Sequence, residues 1–153
     1  MKRMKRIIAF LAVLALMMGC LGTAYAVVPD PDGTLASPTL NSYAAWLDPG
    51  DYRGELDISF YVTAVDKADQ LGVSYFEVYR ASDDKLIDTV IGTKENGLVG
   101  SGGSFGNTYT YAGLPGGVRY YVIIALFAQI GTTFDSRTLR LSPVTTPMAP
   151  PRP

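Results

Sequence analysis

The 153-residue sequence contains no histidine and only one cysteine, Cys20. Without histidine the chain lacks the general base of Ser-His-Asp and Cys-His catalysis. The usual ligands of zinc, copper and haem are also missing once Cys20 is removed with the amino-terminal segment described next. A pair of carboxylates could still act on a glycosidic bond, but Asp and Glu lie mostly in predicted turns and on polar sides of strands. We therefore expect no enzyme activity and no cofactor.

Apolar runs are scarce, and the first lies at the amino terminus. Four basic residues precede the apolar residues 7–18, and the small residues of "AYA" end at Ala26. This order is typical of a secretory signal peptide, and the run falls short of the ~20 residues of a spanning helix. We predict that residues 1–26 are a signal peptide, that Val27 begins the mature chain and that the protein is secreted.

The same segment allows a second interpretation. "MMGC", ending at Cys20, resembles the lipobox of bacterial lipoproteins, although Met17 stands where that motif favours Leu. Lipidation at Cys20 would anchor the protein at the cell surface. Cleavage after Ala26 instead leaves no cysteine, and nine basic against 14 acidic residues give a formal net charge of −5. That charge argues against nucleic acid, and against a membrane other than through the signal peptide or the lipid.

The mature chain divides into three parts by composition. Residues 27–38 are rich in Pro, Asp, Gly and Ser and predict an extended leader. The last 11 residues hold five of the ten prolines, so residues 145–153 form a proline-rich tail. One domain, residues 39–144, lies between them.

Alternation is the main signal inside this domain. In "ELDISFYVTA", apolar residues occupy every second position, which predicts a half-buried strand. Residues 120–128 carry no charge and fit a central strand covered on both faces. Further strands are predicted at residues 40–47, 73–80, 86–92, 107–113 and 136–142, with a glycine-rich loop at residues 92–106. Together they predict an all-β antiparallel two-sheet sandwich of about seven strands.

Three pieces of the domain resemble a fibronectin type III or immunoglobulin-like sandwich. "YFEVYRASDDKLIDTVIGT" is similar to the third-strand hairpin of bacterial members, and residues 120–124 match the alternating core of the sixth strand. Tyr120 follows Leu114 by six positions, the spacing of the tyrosine corner. The resemblance implies that the Tyr120 hydroxyl bonds to backbone near Leu114. "LGVSYFEVYRASD" and "YTYAGLPGGVRYYVIIALFA" are also similar to small secreted clostridial proteins of undefined function. Neither family assigns an activity.

A row of aromatic side chains is the main candidate binding surface. Strand alternation places these side chains opposite the core-facing residues of two neighbouring strands: Tyr75, Tyr79, Tyr121 and Phe127. Flat rings on one sheet face can stack on sugar rings or bind a protein partner. Alternatively, the rings form cross-strand pairs that only stabilise the sheet.

Aspartates offer a weaker candidate, a calcium site at one end of the sandwich. One end would gather Asp66, Asp69 and Asp135, and the other would gather Asp48, Asp51, Asp83 and Asp84. "DPDG", residues 30–33, resembles the start of a calcium loop, but position 12 of that loop is Asn41. Turn-forming Asp explains the same residues, so we expect no metal.

The sequence therefore predicts a small secreted, non-catalytic β-sandwich that acts as a binding or structural module. Its partner would be a protein or a glycan. The alternatives are a carbohydrate-binding module and a surface lipoprotein anchored through Cys20.

Overall fold

The structure, a computed structural model, describes residues 37–148 and 150. Within these residues the chain forms seven strands and no helix, which confirms the all-β prediction. All pairings are antiparallel and join the strands into one hydrogen-bonded network. The strands are β1 (Leu40–Pro49), β2 (Leu56–Arg80), β3 (Lys85–Ile91), β4 (Val99–Tyr111), β5 (Arg119–Ile130), β6 (Thr133–Arg140) and β7 (Val144–Thr145). No helix able to span a membrane is found in this part of the chain.

Strand β2 is 25 residues long and changes partners along its length. Its first half, residues 56–64, lies between β1 and β4, so that Phe60 is opposite Ala45 and Asn107. Its second half, residues 70–80, pairs with β5, and residues 75–80 also pair with β3 on the other side, so that Val78 is opposite Asp88 and Val122. One continuous strand therefore belongs to two groups of paired strands. The first group is β1, the first half of β2 and β4, and the second is the second half of β2 with β3, β5 and β6.

The sequence predicted two separate strands here, and that prediction was wrong for residues 65–72. The charged and polar run "DKADQ" suggested a break. In the structure these residues are extended; most are exposed, while Ala68, Leu71 and Gly72 are buried. The pairing of β2 with β4 shifts register on both sides of Ala68. Such irregularities bend and twist a strand, which lets it change partners without ending.

The predicted glycine-rich loop at residues 92–106 is also only partly correct, because β4 begins at Val99. Its glycines allow close neighbours within a strand. A Cβ added at Gly100 would lie 2.4 Å from the Phe105 ring, and one at Gly106 would lie 2.8 Å from the Phe60 carbonyl oxygen. Glycine is unfavourable in strands generally, but here it is the residue that fits.

The core is built mainly from β2 and β5. The alternating apolar residues of the first half of β2 are buried as predicted, with Leu56, Ile58 and Val62 fully inaccessible. The uncharged run of β5 is buried from residue 120 to 128, apart from the half-buried Ile123, which confirms a strand covered on both faces. Phe76, from the second half of β2, packs against the rings of Tyr109 and Tyr111 in β4, with distances between ring centroids of 5.3 and 6.3 Å.

The chain continues in contact with the domain after residue 144, where the sequence placed the start of a tail. Thr146 is buried, and its hydroxyl donates to the carbonyl oxygens of Pro115 at 2.7 Å and Val118 at 3.1 Å. The Gly54 amide donates to the Pro147 carbonyl oxygen at 3.2 Å. The first residues of the proline-rich segment therefore bond to two turns of the domain.

Candidate functional site

Two of the four predicted aromatic residues form a stacked pair. Tyr79 of β2 lies opposite Tyr121 of β5, and their rings are parallel within 4° at a centroid distance of 5.1 Å. The Tyr79 hydroxyl donates to Glu77 at 2.9 Å, and the Tyr121 hydroxyl donates to Asp84 at 3.0 Å. The bond to Glu77 is the main cause that raises the pKa of Tyr79, and burial is the main cause for Tyr121.

The Tyr121 ring is also in contact with an arginine. The Arg140 guanidinium carbon lies 4.0 Å from the ring centroid, in a cation–π contact. With Tyr79 stacked on it as well, Tyr121 is only 4% exposed. The arrangement is a cross-strand pair of the kind expected to stabilise a sheet, and it leaves little of the Tyr121 ring for a ligand.

The other two predicted residues lie apart from this pair. Phe127 is 6% exposed and stacks on Phe134 of β6 at 5.5 Å. Tyr75 is half-buried and lies opposite Ile91 of β3 and Ala125 of β5. The structure therefore brings Tyr79 and Tyr121 together and does not join Tyr75 or Phe127 to them in one row of rings.

The predicted corner is buried, with Leu114 at 8% and Tyr120 at 1% exposure. Among the described residues, however, the Tyr120 hydroxyl makes no hydrogen bond to backbone near Leu114. The corner is instead held by backbone bonds, such as the Leu114 amide to the Gly54 carbonyl oxygen at 3.1 Å. Burial raises the pKa of Tyr120.

Several of the aspartates considered for calcium bind other protein groups. Asp69 accepts from the Gly131 amide at 2.7 Å, and Asp135 accepts from Ser37 and Arg137. Within residues 37–148 and 150, no three carboxylates converge into a group that could hold a metal ion. "DPDG" lies outside the described residues.

Asp83 lies in the turn between β2 and β3 and was also considered for calcium. It pairs with Arg80 through both carboxylate oxygens, at 2.8 and 2.7 Å. The Arg80 guanidinium lowers the pKa of Asp83 to about 2. This turn carboxylate is therefore held in its charged form by a neighbouring side chain.

A different surface was missed by the sequence analysis. It lies on β1, the first half of β2 and β4, and we call it the Trp46 groove. Trp46 is 50% exposed and Tyr61 is 44% exposed, while Ser59 between them is buried. The groove is lined by Trp46, Ser59, Phe60, Tyr61, Gly106, Asn107 and Thr108.

Strand register explains how these residues meet. Trp46, Ser59 and Thr108 form one row across the three strands, and Ala44, Tyr61 and Gly106 form the next row. Gly106 has no side chain, and the Tyr61 ring lies against it: a Cβ added at Gly106 would be 3.1 Å from Tyr61 Cδ2. Ser59 and Thr108 share a hydrogen bond of 2.8 Å between their hydroxyls. None of the lining residues carries a charge.

One signal for this groove was present in the sequence. Tyr61 falls on the polar side of the alternating segment at residues 55–64, among Asp57, Ser59 and Thr63. An aromatic residue at a solvent-facing strand position is a candidate contact residue. Its relation to Trp46 depends on the register between β1 and β2, which alternation alone does not provide.

Comparisons of the chain with protein-family models, curated proteins and solved structures find no match. The function of this chain is therefore inferred from its own geometry.

Proposed function

We propose that residues 39–144 form a two-layer sandwich of the fibronectin type III kind. Strand order supports this. In immunoglobulin-like sandwiches, strands A, B and E share one sheet, and C, F and G share the other. Here β1, the first half of β2 and β4 take the order of A, B and E, while the second half of β2, β5 and β6 take that of C, F and G. The chain departs from that pattern in joining B and C as one strand.

Contacts between the two groups of strands support facing layers. Phe76 of the second group packs edge-on against Tyr109 of the first. The buried Thr39, next to β1, donates through its hydroxyl to the Ala128 carbonyl oxygen of β5 at 2.9 Å. One cluster of buried apolar residues includes members of both groups.

We further propose that this domain is a non-catalytic binding module whose contact surface is the Trp46 groove. The observation that carries this proposal is the exposure of Trp46 and Tyr61 on paired strands. A tryptophan that is half exposed leaves on the order of 100 Å² of its surface in water, so about 2–3 kcal/mol of burial free energy remains for a partner. Tyr121 and Phe127 offer little of this, because neighbouring side chains already cover them.

The domain would act outside the cell, exported by the signal peptide at residues 1–26. Mass spectrometry of the mature protein tests this part. An amino terminus at Val27 supports secretion, and a diacylated Cys20 supports a lipid anchor. An unprocessed chain that retains Met1 would contradict both.

Binding is tested by cosedimentation of the mature chain with the insoluble envelope fraction of the producing cells. We expect Trp46→Ala and Tyr61→Ala each to weaken binding at least tenfold. Phe134→Ala is the matched control, because Phe134 is an exposed strand aromatic, 53% accessible, outside the groove. Wild-type affinity in both groove variants, or no binding by the wild type, would contradict the proposal.

A further inference from the structure

We infer that the Trp46 groove binds a neutral saccharide chain, an inference that rests on the binding function proposed above. A sugar ring has apolar C–H faces and a rim of hydroxyl groups. Its binding site therefore needs exposed aromatic rings, hydrogen-bonding groups beside them and no charge that would require an ionic partner. The groove provides all three.

The aromatic part comes from diagonal positions on paired strands. Trp46 lies opposite Ser59, and Tyr61 is two residues further along β2. The backbone positions of diagonal neighbours on one sheet face are ~7–8 Å apart. Two carbon–carbon contacts of ~3.5–4.0 Å each span this distance, so a pyranose ring placed between the two side chains can contact both. Both are half exposed, so their surfaces are accessible to it.

The polar part comes from hydroxyl groups with unused capacity. Ser59 and Thr108 make one hydrogen bond to each other, which uses one hydroxyl hydrogen and leaves the other, together with free lone pairs. The row beyond Tyr61 adds Ser42 and Thr63, whose hydroxyls are bonded to each other; the Thr63 hydroxyl also accepts from the Ser42 amide and donates to the Ser42 carbonyl oxygen, so the Ser42 hydroxyl is the one with a free lone pair. Hydroxyl pairs therefore lie on both sides of the Tyr61 row, which suits a ligand of several sugar units.

Charge excludes the other ligands that stack on aromatic rings. The row beyond Trp46 contains Asp48 opposite Asp57, and Asp57 accepts from Thr110 at 2.6 Å. Two carboxylates at this end repel phosphates and acidic sugars, and no Lys or Arg lines the groove to neutralise them. Single-stranded nucleic acid also stacks on aromatics, but it requires a basic surface. A neutral polyhydroxylated ligand remains.

Trp46 is the only tryptophan in the chain, so its fluorescence reports directly on the groove. The experiment titrates the mature chain with hexamers of glucose (β1,4- and α1,4-linked), xylose and N-acetylglucosamine, and with an anionic oligogalacturonate. We expect a saturable change in emission with at least one neutral hexamer and at least tenfold weaker binding of the galacturonate. Tyr61→Ala should weaken the neutral ligand at least tenfold, and Phe134→Ala should leave it unchanged.

Thr108→Val is a second groove variant, which keeps the test valid if Tyr61→Ala fails to fold. It removes only a hydroxyl, at an exposed strand position. We expect it to weaken the neutral hexamer several-fold. No response to any neutral hexamer, equal binding of the galacturonate, or wild-type affinity in both groove variants would overturn the saccharide inference. If envelope binding still depended on Trp46 in that case, the binding function would stand with a different ligand.

Discussion

Replacing Thr146 by Val tests whether the start of the proline-rich segment stabilises the domain. Thr146 is 2% exposed, and its hydroxyl donates to the Pro115 and Val118 carbonyl oxygens and accepts from the Val118 amide at 3.3 Å. Valine has nearly the same shape but makes none of these bonds. The Val118 carbonyl oxygen keeps the Thr146 amide as a donor at 3.0 Å, so the loss falls on the Val118 amide and the Pro115 oxygen.

The size of the effect follows from the surroundings of those two groups. A buried polar group left without a partner costs about 1–3 kcal/mol. Pro115 is exposed and Val118 is half-buried, so water can reach at least one of them. We expect a destabilisation of about 1–2 kcal/mol, which corresponds to a decrease in Tm on the order of 5–10 °C for a domain of this size.

Urea unfolding of residues 27–153, followed by circular dichroism, measures this change. The midpoint should fall while the denaturant dependence of the unfolding free energy stays constant. The matched control is Thr145→Val, the same chemical change at the neighbouring exposed residue, which should have little effect. If the two variants unfold at the same urea concentration, the hydrogen bonds of the Thr146 hydroxyl do not stabilise the domain.

Gly54→Ala should destabilise the domain by more than ~1 kcal/mol, because its φ is +73° and an added Cβ would lie 1.8 Å from a carbonyl oxygen. Gly103→Ala meets no atom within 4 Å, so a thermal melt of that variant should show little change. Asp83 should titrate with a pKa of about 2 by NMR, and Arg80→Gln should raise that pKa toward 3.8. Because the folded-state pKa is lowered, this pair's stabilisation is present above pH ~4 and is lost as the pH falls toward 2; a pKa near 3.8 in the wild type would contradict the pairing.

The sequence predicted correctly the strands whose apolar pattern matches their burial, either strict alternation in residues 56–64 or a continuous apolar run in residues 120–128. Residues 56–64 and 120–128 show their burial directly in their composition. The sequence failed at residues 65–72 and 99–106, where charged residues and glycines are poor strand formers taken alone. Pairing with neighbouring strands decides the conformation there, and β-propensity depends strongly on such context.

The candidate surfaces were harder to predict than the strands. Alternation placed Tyr121 on the side opposite the core, but Arg140, distant in sequence, contacts its ring. Trp46 and Tyr61 each occupy an exposed strand position, yet their proximity depends on how the turn at residues 50–55 sets the register of β1 against β2. A one-residue slip would place these side chains on opposite faces of the sheet.

The continuity of β2 has a consequence for how the domain can be divided. Strand-rich domains generally tolerate a cut or an inserted peptide in the loops between strands, because few contacts cross there. Here the passage from β1 and β4 to β3 and β5 is itself hydrogen-bonded strand, with Leu71 opposite both Gly100 and Ala128. A nick or insertion near Leu71 would break pairings to both sides at once. Mechanical load that β1 passes to β2 would likewise travel along the unbroken β2 backbone to the pairings with β5, so both sets of pairings should yield together.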